Sequence, residues 1–390
     1  MKFLLSHGAD ANARDNTLKC PLHLLAEHAG DLEVAQMLLE HKADVHPQDN
    51  DGKTPLHILL EHWIFLEDYV LDHARLLLDH RADVNKRDRD GQTPLHLAVR
   101  QGWFDLAKIL LEHHADARLE DNNGRTTLHM LLSESWNNNE GDVLNLMLML
   151  LNHGAKASVQ DKDNQTPLHL AVRKGWFELA KILLRLDTDA STKANNCRTT
   201  LHILLSESWN SDERDVLKLA LLLLKHGAEV DTRDKDNQTP LHAAVRKDWF
   251  KLAKALLKKG ADANAEDNNG RTALHILSES WNSDEGDVLK FVRLSLKRGA
   301  NVNAQDKDKQ TPLHLSVRRD RSMLAEILVK CGADVEAQDV NGATPSDLAL
   351  YYEKKKIASL LLHNGGEAQR EDRQVTDPTS AGVNVSAISR

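Results

Sequence analysis

A block of 73 residues recurs through the middle of this chain, and that recurrence decides what the chain can fold into. Residues 93–165 reappear, lightly edited, at 166–238 and again at 239–310; Thr93 to Thr166 and Thr166 to Thr239 are 73 residues each, and Thr239 to Thr311 is 72. A Thr-x-Leu-His signal occurs twice in every block, so each block is a pair of unequal units. A unit of this size cannot bury an apolar face alone, and stacking neighbours builds one continuous core. A length of 390 residues would otherwise suggest two or three globular domains; the repeat predicts a single elongated one.

Thr-Pro-Leu-His opens a unit at Thr54, Thr93, Thr166, Thr239 and Thr311, with variants starting at Cys20, Thr126, Thr199, Thr272 and Thr344. The spacings are 34, 39, 33, 40, 33, 40, 33, 39 and 33. A second signature, Leu-Leu-x-x-Gly-Ala-Asp, closes the units, as in Leu4-Leu5-Ser6-His7-Gly8-Ala9-Asp10. On these two motifs the units resemble ankyrin repeats, and the resemblance covers residues 1–365. It implies an all-α solenoid of about ten and a half helix-turn-helix units with β-hairpin fingertips, right-handed and curved. It implies a partial repeat at 1–15, ten repeats at 16–365 and a disordered tail at 366–390, where composition shifts to Gly, Ser, Thr, Asp and Gln. It also implies a non-enzymatic interaction scaffold that binds protein through the fingertips and the exposed face of the first helices.

Local chemistry supports the unit boundaries. Thr caps the first helix and Pro follows at its first position, where a missing N–H costs nothing. The Asp-x-x-Gly run before it, as at Asp88 to Gly91, reads as a tight turn that needs positive φ. Asn164 and Asn237 tolerate that conformation; Leu18, Cys197 and Lys309 do so poorly, which predicts distorted fingertips there. Asp187 and Thr188 replace the Gly-Ala that ends other second helices and predict a weak C-cap. Long units hold seven residues more than short ones: Trp136 to Gly154 is 18 residues, Trp103 to His114 is 11. Seven residues are about two helical turns, so the second helix can lengthen without rotating its apolar face. A loop then precedes a longer helix starting at Asp142, Asp215 and Asp287, and the insertions are expected to form one acidic edge.

The ends differ from the middle. Met1 to Leu5 matches the end of a second helix with no first helix before it. Either the fragment frays or an N-terminal part has been lost, and the second reading is preferred. On it, the chain is alternatively a regulatory or targeting segment whose effector domain, which could be an enzyme, lies upstream. The last unit carries Asp347 in place of His and a polar Lys354-Lys355-Lys356, as ankyrin C-terminal caps do.

Bulk properties exclude several function classes. Net charge is −9, with no basic excess to favour nucleic acid or anionic membrane. Three cysteines, Cys20, Cys197 and Cys331, fall in different units, so no disulfide framework is expected, and no signal peptide is legible. These point to a cytoplasmic or nuclear protein. No apolar run of about 18 residues is present. Nine of the 21 histidines are the Thr-x-Leu-His imidazoles, which in ankyrin repeats hydrogen-bond backbone between neighbours. Others sit at helix C-termini, so neither metal nor cofactor is expected. Ser133, Ser206 and Ser278 recur in the long units as building blocks rather than as one nucleophile. A monomeric solenoid with a protein partner is the resulting expectation.

Two rows stand out as candidates for that partner. Residues at the seventh and eighth positions after each Thr run Arg100-Gln101, Ser133-Glu134, Arg173-Lys174, Ser206-Glu207, Arg246-Lys247 and Arg318-Arg319; in the unit starting at Thr272, which is one residue shorter, the pair is Ser278-Glu279. Residues before each Thr alternate between Gln (Gln92, Gln165, Gln238, Gln310) and Arg (Arg125, Arg198, Arg271). This is either a ladder of inter-repeat salt bridges or a groove matched to an extended partner of alternating charge. Beside it run Trp63, Trp103, Trp136, Trp176, Trp209, Trp249 and Trp281, every tryptophan in the chain. They are either packing residues or interface anchors.

Overall fold

The computed structural model describes residues 2–28, 30–62, 67–134, 140–186, 188–195, 197–207, 212–279 and 285–365. It divides into two compact units, Met1–Asn195 and Asn196–Arg390. In the first unit the helices are α1 (Lys2–Ser6), α2 (Pro21–Glu27), α3 (Leu32–Glu40), α4 (Pro55–His62), α5 (Glu67–Asp79), α6 (Pro94–Gln101), α7 (Phe104–Glu112), α8 (Thr127–Glu134), α9 (Glu140–Asn152), α10 (Pro167–Arg173) and α11 (Phe177–Arg185). In the second they are α12 (Thr200–Glu207), α13 (Glu213–Lys225), α14 (Pro240–Arg246), α15 (Phe250–Lys258), α16 (Ala273–Glu279), α17 (Glu285–Lys297), α18 (Pro312–Arg318), α19 (Ser322–Lys330), α20 (Pro345–Tyr351) and α21 (Lys355–His363). Within each unit the first helices of successive repeats pack in one row, α2-α4-α6-α8-α10 and α12-α14-α16-α18-α20. The second helices form a row behind them, α13-α15-α17-α19-α21 in the second unit. The expected 366–390 tail lies outside the described residues.

The core sits between the two rows. In α6, Leu95, Leu97, Ala98 and Val99 are buried; in α7, Leu106, Ala107, Leu110 and Leu111 are buried. Each fully buried Leu contributes about 1.5–3 kcal/mol. Two aromatics of the core meet: the Phe250 and Phe291 rings lie 5.8 Å apart between α15 and α17.

The Thr-x-Leu-His tetrapeptide works as a reciprocal cap. At α6, the Thr93 backbone N–H donates to His96 Nδ1 (3.2 Å), and the His96 N–H donates to Thr93 Oγ1 (3.4 Å). The imidazole occupies the place that Glu takes in an ordinary capping box. With Nδ1 as acceptor, the proton sits on Nε2; that of His96 is buried without an acceptor among the described residues, while the Nε2 groups of the other repeats donate across to the next repeat. Nε2 reaches the carbonyl of Lys53 from His23, Gln92 from His57, Gln165 from His129, Gln238 from His202, Arg271 from His242, Gln310 from His275 and Ala343 from His314, at 2.9–3.2 Å. His169 instead donates to Thr192 at 3.1 Å. At α20, Asp347 replaces the imidazole and accepts from the Thr344 N–H and hydroxyl, with no reach to a further repeat.

The fingertips are turns rather than hairpins of paired strands. Among the described residues no strand forms; isolated bridge positions occur at Glu120 and Thr126, which pair antiparallel, and at Lys193 and Thr199. The reason is local. Where an Asp opens the turn it accepts backbone N–H bonds from residues two and four later, as Asp121 does from Asn123 and Arg125. Those N–H groups are then unavailable to a ladder. Successive fingertips join by backbone bonds, such as Arg89 N–H to Asp51 and Asn122 N–H to Asp90 in the first unit. In the second, Lys307 N–H bonds to Asn269 and Val340 N–H to Asp308. An asparagine ladder adds to this: Asn85 Oδ1 accepts from Asp116 N–H at 2.7 Å, and Asn303 Oδ1 from Asp334 N–H at 2.8 Å.

Three local expectations are corrected. Leu18, Cys197 and Lys309 adopt φ of 62°, 59° and 55°, as Asn164 and Asn237 do, and the expected distortion is corrected at Leu18 and Lys309; the turn at Cys197 includes a residue outside the described ones. The turns at Leu18 and Lys309 close undistorted, with N–H bonds of 3.0 Å to Asp15 and 2.9 Å to Asp306. The Asp carboxylates hold them against the left-handed strain. At the end of α11, the Thr188 hydroxyl donates to the Leu183 carbonyl (3.0 Å), the acceptor that an alanine N–H takes at Ala155 and Leu150. That orphan carbonyl is therefore satisfied without Gly-Ala; Asp187 lies outside the described residues. Finally, α9, α13 and α17 begin at Glu140, Glu213 and Glu285, two residues before the expected aspartates, and run 13 residues against nine in α7. Four of the seven inserted residues lengthen the helix. The other three fall before it, within 135–139, 208–211 and 280–284, outside the described residues.

Candidate functional site

The second helices of short repeats start at a tryptophan. Trp103, Trp176 and Trp249 are the N-cap residues of α7, α11 and α15, and none caps with its side chain. The preceding long repeat supplies the missing acceptor. Glu140 Oε1 accepts from the Glu178 N–H (3.1 Å), and Glu213 Oε1 accepts from Lys251 N–H (2.8 Å) and Leu252 N–H (3.3 Å). A carboxylate there also complements the helix dipole. The first acidic residues of α9 and α13 thus serve the fold of the next repeat.

Of the tryptophan row, Trp103 is 5% exposed and packs inside; burial removes it from the candidate anchors. Trp176 and Trp249 are half-buried, and the Lys247 Nζ lies 4.7 Å from the centre of the Trp249 ring. Trp63, Trp136, Trp209 and Trp281 lie outside the described residues, as do the side chains of Glu134 and Glu207.

The charged row has a different logic from alternating sign. In six repeats the residue before the cap position pairs with the residue eight later in the same repeat. Lys19 meets Glu27 (2.7 Å), Lys53 meets Glu61 (2.6 Å) and Arg271 meets Glu279 (3.0 Å). In the short repeats that start at Thr93, Thr166 and Thr239 the partner is a neutral amide: Arg100 donates to Gln92 (2.9 Å), Arg173 to Gln165 (2.6 Å) and Arg246 to Gln238 (2.6 Å). The two rows are therefore one set of brackets between fingertip base and first helix, and the offset of eight was the readable signal that joins them. Inter-repeat contacts are fewer: Arg271 Nε lies 3.9 Å from Asp306, and Lys254 pairs with Asp287 at 2.9 Å. Arg125 pairs with its own fingertip Asp121 at 3.1 Å. Ser278 is buried and donates to the Pro312 carbonyl of the next repeat at 3.0 Å.

Between α12 and α14 the first-helix face opens into a cleft of about 170 Å³. Leu205 and Ala243 provide apolar lining, and Arg198, Arg246 and Lys247 provide positive charge, with Asp234 and Gln238 alongside. Burial pushes the Lys247 ammonium below its usual range. Arg173 and Lys174 are exposed on the equivalent face of the first unit. The histidines elsewhere are engaged with backbone: His41, His80 and His153 each place Nδ1 2.9 Å from a carbonyl one turn back.

No match to a curated protein was found. A family model described as "Ankyrin repeats (3 copies)" matches residues 1–88, 62–141, 130–234, 208–291 and 283–372. With the helix pairs, the reciprocal Thr-His caps and that match spanning residues 1–372, the chain belongs to the ankyrin-repeat family.

Proposed function

We propose that this chain is a non-enzymatic scaffold that binds a protein partner on the first-helix face and fingertips. Ankyrin repeats are in general protein-interaction modules. The observation that carries the reading here is the cleft between α12 and α14, apolar in its lining and rimmed by Arg198, Arg246 and Lys247. Basic residues over an apolar floor favour a partner that brings both charge and buried surface. In the second unit Arg271, Glu279 and Trp249 belong to the proposed face; in the first unit, taken by itself, the corresponding residues are Arg100, Arg125, Arg173, Lys174 and Trp176. The histidines and the recurring serines serve the stack in this reading, and catalysis has no assigned residues.

The test reverses Arg173 and Arg246 to Glu. Both contacts with Gln are exposed and contribute at most about 1 kcal/mol each. The melting temperature is expected to move little, while proximity labelling loses the neighbours that the wild-type chain labels. A destabilised variant that labels the same neighbours would assign these charges to the fold alone.

A further inference from the structure

The brackets along the first-helix face are not electrically equal. A long-repeat bracket such as Arg271–Glu279 sums to zero, +1 with −1. A short-repeat bracket such as Arg246–Gln238 sums to +1, because its acceptor is an amide. Lys247 beside Arg246 and Arg319 beside Arg318 raise the positive charge of the second unit at α14 and α18. Between them, on α16, lies the neutral Arg271–Glu279 pair. The face of this unit therefore carries positive charge in two steps separated by a neutral one. At α18 the buried Nε of Arg318 and the buried Nε2 of Gln310 have no acceptor among the described residues. At α14, Lys247 is half-buried against Trp249, where an incoming carboxylate gains more than in open solvent.

We infer that the second unit takes an extended acidic peptide segment whose carboxylates cluster at the spacing of α14 and α18. This rests on the interaction reading above and names its partner's chemistry. Packed helices lie about 8–10 Å apart, so α14 to α18 is roughly 16–20 Å in two steps. An extended chain advances about 3.3–3.6 Å per residue, which puts the two acidic clusters about five or six residues apart. A polypeptide is favoured over a nucleic acid because phosphates repeat evenly along a strand and would meet the Glu279 step as well as the basic ones. The whole chain's charge of −9 works in the same direction.

The experiment uses the full chain and a fluorescent peptide of roughly fifteen residues, uncharged except for two Glu-Glu pairs about six residues apart. A second peptide of identical composition places the four glutamates together, and an oligothymidylate of similar length is the nucleic-acid probe. Anisotropy is expected to give the tightest binding for the spaced peptide. Neutralising the face (R246Q, K247Q, R318Q, R319Q) is expected to weaken it at least tenfold. An equal charge change on the second helices (K251Q, K258Q, K259Q, K290Q) is expected to weaken it less than twofold. Circular dichroism melts establish that both variants fold. Equal weakening by the two variants, no preference for the spaced peptide, or tighter binding of the oligothymidylate each overturns the inference. If no peptide binds while R173E/R246E still loses its labelled neighbours, the acidic partner falls and the interaction reading stands.

Discussion

Burial of the Thr-x-Leu-His imidazoles makes each of them an acid-sensitive clasp. Desolvation lowers His57, His96, His169 and His275 from 6.5 to about 4, and lowers His23, His129, His202, His242 and His314 in the same direction. As pH falls below 6.5 the unfolded chain takes up these protons first. Stability is therefore complete above the unfolded value and is lost progressively toward pH 4. Each unit of separation is worth about 1.4 kcal/mol, so several such groups make the decline steep. Asp88, Asp231 and Asp306, raised by burial, oppose it in part. Urea unfolding at pH 7.5, 6 and 5 reads this; a midpoint that is flat across the series would show that the imidazoles do not govern stability. A second residue-scale prediction concerns the fingertip turn. At Gly91 (φ 76°) an added Cβ would lie 2.5 Å from Asn122 Oδ1 and 2.8 Å from its backbone N, while Lys309 already carries a side chain at φ 55°. Gly91→Ala is expected to cost about 2 kcal/mol or more, and Lys309→Gly to gain about 1 kcal/mol from released strain. Equal and small changes at both would contradict the geometry.

Among elements, the second helices α11 and α15 depend on the preceding repeat for a cap. Glu213→Ala removes the acceptor of two N–H groups at the start of α15. The expected loss is about 1 kcal/mol, with faster amide exchange at Lys251 and Leu252 than in the rest of α15. Unchanged exchange there would mean that water or the dipole alone suffices. The insertion is separable from this role. Deleting 137–143 shortens α9 to the nine residues of α7 and preserves helical phase, so the stack is expected to stay folded. The Glu140 cap of α11 goes with it. Loss of a cooperative melt would show that the insertion carries packing the short repeats lack. The start of the chain is the weakest helix by its contacts. Phe3 and Leu4 are 71% and 57% exposed, and the anchors are Leu5, Ala11 and the bond from Asp44 N–H to Asn12. Amides before Asp15 are expected to exchange fastest among the helices.

For the whole molecule, nearest-neighbour stacking means that each compact unit holds its own core. Fragments 1–195 and 196–390 are expected to fold separately with cooperative melts, as repeat energetics allow. A fragment without a cooperative melt would show that its stack needs the rest of the chain. The described helices include none long and apolar enough to cross a membrane, and the chain's stability rests on the row-to-row burial of Leu, Ala and Val.

The period and the tetrapeptide determined the fold class before any coordinates, because helix start, cap and inter-repeat clasp are all local chemistry within one short motif. Seven extra residues in the long repeats were also countable, since motif spacing does not depend on packing. How those residues divide between helix and loop was decided by tertiary structure: Glu140 and Glu213 are drawn into the helix where they cap the next repeat. The fingertips came out as Asp-closed turns because one carboxylate takes the N–H groups that strands would need. The candidate face was legible as two separate rows. Only the folded repeat joined them, placing residues eight apart within bonding distance and turning an apparent alternation of sign into neutral and positive steps. Trp103 shows the same limit, for exposure depends on neighbours that a linear spacing does not contain.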